Sequence, residues 1–289
     1  MPPLHAISQR PKRHPFLVRI ERYISLSDDD LAALWGLIEV DLIISKCREL
    51  VVDGYEHHKL SFVESGFAAR YKLLRNGKRQ IVNLILPGDI VGLPGSFLNK
   101  AHHSVLALTD MNLQVCAVND YVRLCYKRPQ FGLMLSWLAI QEAITCAEHV
   151  VDIGRRTPTE RLAHFLLEMY SRLELVGLAA NFVVEIPFSQ EVMSDALGLS
   201  VPHLNRTLAK LRSEGTIEIS NHRVSLKNPA TLERLCHFQR LDLRRVPPAE
   251  PNGANSPAVD RGYPRPAVLP RRDRHLASRS SARVHPHGE

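Results

Sequence analysis

The sequence predicts an α+β fold in which a β-roll (jelly roll), one long dimerisation helix and a C-terminal winged helix-turn-helix follow one another along 289 residues. Three observations carry that prediction. Short alternating apolar runs divided by turn residues fill residues 50–118, a heptad-like apolar spacing begins after Pro129, and residues 188–226 read as strand, helix, tight turn, helix and hairpin. The expected layout is a disordered tail over 1–22, the β domain, a jelly roll or other antiparallel barrel, over 23–128 and the dimerisation helix over 129–154. The winged helix-turn-helix domain follows over 155–242 and a disordered basic tail over 243–289.

The tails are read from composition. Pro2, Pro3, Pro11 and Pro15 punctuate the first, and Pro247-Pro248 and Pro264-Arg265-Pro266 the second, which has few large apolar residues. The chain's formal charge of +7 belongs to these segments: residues 1–20 carry four bases and no acids, and residues 246–289 carry seven bases and four acids. The body is neutral, so net charge gives no argument for polyanion binding by the folded part. No apolar run approaches the ~18–20 residues of a bilayer-spanning helix, and no apolar stretch follows the first basic residues, so neither a membrane span nor a secretory signal is expected. Cys47, Cys116, Cys125, Cys146 and Cys236 lack metal-ligand spacing and suit free thiols in a reducing cytoplasm.

Roll strands are expected at 59–64, 68–74, 79–86, 104–109 and 111–118, interrupted by Ser65-Gly66, Asn76-Gly77 and Pro87-Gly88-Asp89. Asn76-Gly77 predicts a two-residue hairpin of type I′, whose central positions both need positive φ. In the long helix, Leu133, Trp137, Ile140, Ile144, Ala147 and Val151 recur at steps of four, three, four, three and four, a coiled-coil seam. The alternative is a helix packed only on its own domain. Met134, Leu135 and Leu138 widen the apolar face, as expected if one side meets the roll and another a partner. Thr157-Pro158-Thr159-Glu160 is a capping box with Pro at the first helical position, which places a hinge near Gly154-Arg155-Arg156. The helix it starts turns Leu162, Phe165, Leu166 and Met169 inward.

In the last folded segment, Ser189 caps a helix over 190–197, and Gly198-Leu199-Ser200 forms the turn, with Ser200 capping the helix over 201–214. That helix is expected to bury Leu204, Leu208 and Leu211 and to expose His203, Asn205, Arg206, Thr207 and Lys210. Residues 216–219 and 223–226 pair across Ser220-Asn221-His222 as a wing. Two short helices with a polar, basic outer face are what insertion into a major groove requires. The same motif also serves as a packing device. The alternative function is therefore an effector-binding roll whose helix-turn-helix serves a protein partner rather than DNA.

Pro87-Gly88-Asp89-Ile90-Val91-Gly92, the long helix, and Phe188-Ser189-Gln190-Glu191 through Gly198-Leu199-Ser200-Val201-Pro202-His203-Leu204-Asn205-Arg206-Thr207-Leu208 resemble the Crp/Fnr family of bacterial transcription regulators over roughly 37–239. The resemblance implies a cyclic-nucleotide-binding-like roll, a parallel dimer helix and a winged helix-turn-helix. It implies a homodimer that binds an inverted repeat in double-stranded promoter DNA through the helix over 201–214, with RNA polymerase as a further partner. Arg206 matches the family's recognition-helix arginine, whose bidentate bonds to guanine O6 and N7 discriminate by ~1–3 kcal/mol. His203 and Asn205 hold neighbouring groove-facing positions, open to bases or phosphates. Ser189, Gln190, Ser200, Thr207 and Lys210 are expected to hold the DNA backbone. Pro202 stands where many members carry a base-reading Glu, so a different half-site is expected.

Cyclic-nucleotide receptors of this fold use a Glu for the ribose and an Arg followed by Ser or Thr for the phosphate. Here Leu93 or Pro94, after Gly92, stands near the Glu position, and His103 followed by Ser104 near the Arg position. Losing charge-assisted bonds of ~1.5–3 kcal/mol each disfavours cyclic AMP. Gly92, Leu93, His103 and Ser104 are the candidate effector pocket. The iron-sulfur branch needs clustered N-terminal cysteines, whereas only Cys47 precedes Cys116, which disfavours a cluster. His57-His58 and His102-His103 could ligate haem or a metal, but neighbours on a strand point to opposite faces and chelate together poorly, so loop histidines without a metal are expected, and no cofactor. Cys146, beside the seam, is either a small buried hydrophobe or a group open to oxidation. No cupin His-x-His, nucleophile elbow, P-loop or dinucleotide fingerprint occurs, so no enzymatic activity and no catalytic residues are expected.

Overall fold

Turn residues cut residues 40–117 into eight short strands that pair as two four-stranded antiparallel sheets, the jelly roll of an α+β protein. The computed structural model describes residues 13–93 and 95–241; residues 1–12 and the tail expected over 243–289 lie outside the described residues. One sheet has the order β1 (Val40–Ile44), β8 (Met111–Ala117), β3 (Lys59–Ser65), β6 (Ile90–Val91). The other has β2 (Glu49–Val51), β7 (Ser104–Ala107), β4 (Ala68–Leu73), β5 (Arg79–Ile85). Val51, Val63, Ile85, Val105, Leu113 and Val115 are buried together in one cluster of the roll's strands.

The β4–β5 hairpin differs from its expected turn. Gly77 has φ +78°, but Asn76 is not among the residues with positive φ. Gly77 N donates to Leu74 O, Leu74 N to Lys78 O and Lys78 N to the Asn76 side chain. The loop is therefore a type I turn closed by one left-handed glycine, which needs positive φ at a single position.

The N-terminal segment is the larger correction, because residues 13–22 belong to the fold. α1 (Pro15–Ile20) starts on Pro15, with the His14 ring accepting from Phe16 N. Proline at a first helical position removes only an N–H that would have no partner, so here it marks a helix start rather than disorder. Phe16, Leu17 and Ile20 enter a core with Leu34 of α2 (Asp28–Trp35), Leu60 and Phe62 of β3, Tyr121 of α3 (Val118–Lys127) and Phe131 and Met134 of α4 (Gln130–Gly154).

After α4, Arg155 and Arg156 lead into α5 (Pro158–Leu175), where the Thr157/Glu160 capping box forms in both directions. Next come β9 (Val183–Glu185), α6 (Gln190–Leu197) and α7 (Val201–Ser213). β10 (Ile217–Ser220) and β11 (Arg223–Leu226) make the wing hairpin, and β9 pairs on β11. α8 (Pro229–Cys236) buries Leu232 and Cys236 in the same core as α5. That core crosses from one part to the next: Ala69, Ile81, Leu84 and Leu86 of the roll pack with Phe165, Leu166, Met169, Met193 and Ala196. The roll and the helix-turn-helix are therefore joined by packing as well as by chain. Arg79 also pairs with Asp195 of α6 at 2.6 Å, and Gln80 donates to the Asp195 carbonyl at 2.9 Å. Among the described residues no helix is long and apolar enough to cross a membrane.

Candidate nucleic-acid interface

Local sequence fixes the two helices of the turn separately. The Ser189 hydroxyl accepts from Val192 N and caps α6, an interaction worth about 1 kcal/mol. Gly198 ends that helix at φ +62°, and Leu199 N returns to Ser194 O, which closes the turn. Ser200 holds the N-cap position of α7 with extended φ and ψ, yet its side chain makes no cap bond. Pro202 at the second helical position has no N–H to offer a cap, and the His203 N–H at the third position is not bonded by Ser200 either. Ser200 is left exposed at the helix N-terminus.

α7 buries Leu204, Thr207, Leu208 and Leu211, the i, i+3, i+4, i+7 stripe of a helix packed on one side. Thr207 is thereby corrected: it is 5% exposed and its hydroxyl donates to His203 O at 2.9 Å, so it faces the core and not the groove. Pro202, Asn205, Arg206 and Lys210 are exposed and His203 half-buried, as are Ser189 and Gln190 exposed on α6. The Arg206 guanidinium has no hydrogen bond or ion pair among the described residues, whereas Lys210 lies 4.0 Å from Glu214. At the wing tip Asn221 (φ +48°) and His222 (φ +64°) turn the chain and leave Arg223 exposed beside them.

Sequence reasoning passed over Arg161. Its guanidinium donates to Arg156 O, Ile153 O and Leu197 O at 3.0, 2.8 and 3.1 Å, joining the end of α4, the link to α5 and the carbonyl end of α6. A cation at that end satisfies carbonyls the helix itself cannot. The only signal in the sequence is its place one residue after the capping box.

Along α4, Leu133, Ile140, Ile144, Ala147 and Val151 are exposed, with Leu133 and Ile140 each at 53%. Trp137 departs from this stripe. It is 6% exposed, its ring 4.1 Å from that of Tyr23, because the segment after α1 covers it. Cys146 is half-buried and all five cysteines are free.

Of the candidate effector residues, Gly92, His103 and Ser104 are buried and Leu93 is half-buried. Gly92 takes φ +113°, where a Cβ would stand 2.3 Å from Lys59 O. Ser104 is buried and accepts from Asp53 N. His103 and His57 turn inward, while His102 and His58 stay exposed. Burial, helped by nearby Arg70 and Lys72, pulls His103 down to about 4 and keeps its ring neutral. Burial lowers His57 as well. Among the described residues no cluster of three or more His, Cys, Asp or Glu could hold a metal. A cavity of about 130 Å³ touches Leu93 of the candidate set and runs between the roll, α4 and α5, past Arg70, Asp89, Gln141, Glu142 and Arg172.

A winged helix-turn-helix with an unpaired arginine on the outer face of its second helix, carried by an antiparallel roll and a long connecting helix, defines a DNA-binding transcription regulator. Family profiles described as a Crp-like helix-turn-helix domain and a cyclic nucleotide-binding domain match residues 160–235 and 46–126. The nitrogen fixation regulation protein FixK of Bradyrhizobium diazoefficiens is 35% identical over 60% of this chain and 72% of its own length. The chain belongs to the Crp/Fnr family of transcription regulators. The transcriptional activatory protein AadR of Rhodopseudomonas palustris is 32% identical, over 59% of this chain and 70% of its own. Among solved structures, FixK2 from Bradyrhizobium japonicum superposes with a TM-score of 0.63 at 27% identity, covering 68% of this chain and 96% of that one.

Proposed function

We propose that this regulator acts as a homodimer on an inverted-repeat operator in promoter DNA, with α7 in the major groove and Arg206 reading a guanine. The observation that carries this is the free Arg206 guanidinium on the exposed side of a helix whose other side is fully packed. A donor fork with no partner of its own is free to make the bidentate contact. His203 and Asn205 flank it within reach of bases or phosphates. Ser189, Gln190, Ser200 and Lys210 hold the backbone, joined by Arg223 of the wing. Without a Glu at Pro202, the half-site differs from the one common in the family.

The second copy packs on the exposed stripe of α4, whose repeat is that of a two-stranded seam. Such a dimer sets two α7 helices about one DNA turn apart. The reading places the protein in the cytoplasm, assigns it no catalytic step and no cofactor, and leaves contact with RNA polymerase to the DNA-bound dimer. Selection of bound duplexes from a random pool at about 150 mM salt, where phosphate-only binding is suppressed, tests it. Enrichment of an inverted repeat supports the reading, and enrichment of single half-sites or of no sequence overturns it.

A further inference from the structure

The interior of the roll holds a buried arginine. Arg70 lies on β4, two residues after the buried Ala68, and is 6% exposed. Its Nη2 donates to the Leu93 carbonyl at 2.8 Å, inside the segment Gly92-Leu93 that the resemblance assigns to an effector. Its Nη1 pairs with Glu142 of α4. One guanidinium thus joins a roll strand, the turn after β6 and the long helix. Glu142 lies two residues from both Ile140 and Ile144, about 200° round the helix, so it sits on the side away from the exposed seam.

Stability alone does not explain such a residue. The Arg70 Nε is buried without a hydrogen-bond partner. A buried ion pair with an unsatisfied donor is a costly way to fill space that Leu or Met fills more cheaply. Nor does the pair leave charge for an anionic ligand, because Glu142 neutralises the guanidinium and His103 beside it is neutral.

We infer that Arg70 is a resident stand-in for an effector: its guanidinium occupies the ligand position of the roll and, through Glu142, holds α4 in the arrangement that binds operator, so no small molecule is needed there. Arg70 is on this account a positioning residue, and the inference rests on the operator-bound dimer proposed above. Coupling of this kind shifts affinity at a distant site by roughly 5- to 150-fold.

The test uses the full chain and the operator recovered by selection. Arg70→Met and Glu142→Gln each weaken operator binding by about tenfold or more, while affinity for random duplex changes less than about twofold. Arg70→Ala loses the same affinity and regains it with about 10 mM ethylguanidinium chloride, but not with choline chloride at equal ionic strength. A thermal midpoint reads the site without DNA: ethylguanidinium raises that of Arg70→Ala and leaves the wild type unchanged, since only a vacated site gains a ligand. Wild-type operator affinity in Glu142→Gln, whose site is partly exposed and expected to fold, overturns the inference. So does an Arg70→Ala protein whose midpoint ignores ethylguanidinium. A wild type that selects no operator removes the proposed function instead, and the midpoint arm still decides the role of Arg70.

Discussion

Replacing Asp89 with Asn removes the charge at a junction of four elements. The carboxylate, 13% exposed, accepts from Arg19 of α1, from Arg172 of α5 at 2.7 Å and from Leu86 N at 2.8 Å. Arg19 also donates to Gln141 of α4 at 2.7 Å, so the N-terminal helix, the Pro87-Gly88-Asp89 turn, the long helix and α5 meet here. Breaking a buried pair from one side costs about 3–5 kcal/mol, because the remaining charge stays desolvated. The two guanidinium side chains are 16% and 21% exposed and the amide retains one acceptor, so the lower end, about 3 kcal/mol, applies. For a body of this size that is a fall of about 6–12 °C in melting temperature. Burial alone would raise the Asp89 carboxyl; Arg172, Arg19 and the Leu86 N–H outweigh it and hold it below 3.8. A depressed carboxylate contributes stability that is fully present above its unfolded value and is lost as pH falls through the folded one. The gap between wild type and Asp89→Asn in urea unfolding is therefore flat from pH 8 to about 5 and closes below about 4. A melting temperature within about 2 °C of wild type, or a gap that widens in acid, would refute the reasoning.

Three further outcomes follow from the packing. Phe16→Ala, emptying a fully buried site in α1, costs about 3–5 kcal/mol in chemical denaturation; a cost below about 1 would return residues 13–22 to the status of a tail. Gly92→Ala forces a left-handed φ of +113° and a contact with Lys59 O at 2.3 Å, and it lowers the thermal midpoint by more than the strain of about 1–3 kcal/mol alone implies. Ile144→Asp places a charge in the exposed stripe of α4 and converts dimer to monomer in sedimentation, whereas a persistent dimer would remove the seam as its interface.

What was legible in the sequence was what local chemistry decides. The capping box at Thr157, the left-handed Gly198 and the 204/208/211 stripe each need only neighbours in the chain, and each appears as expected. Thr207 was misplaced because a hydroxyl marks no face by itself; its position on the buried stripe follows from Leu204 and Leu208 on either side of it. Trp137 fits the heptad by spacing, but which residue covers it depends on Tyr23, distant in sequence. The prolines before Phe16 read as disorder because composition does not tell a helix-starting proline from a linker proline. Arg70 gave no motif at all, since a lone basic residue in a strand shows its role only when Leu93 and Glu142 are brought to it.

The most direct test of the account is the affinity of wild type and Arg206→Ala for the selected operator, for the same operator changed at each half-site guanine in turn, and for random duplex. Wild type is predicted to lose roughly 5- to 150-fold at one guanine, and Arg206→Ala to be indifferent at that position while keeping its affinity for random DNA. Lys210→Ala should instead weaken all duplexes alike and flatten the salt dependence. Equal losses by Arg206→Ala on operator and random DNA would contradict the central claim that this side chain reads a base.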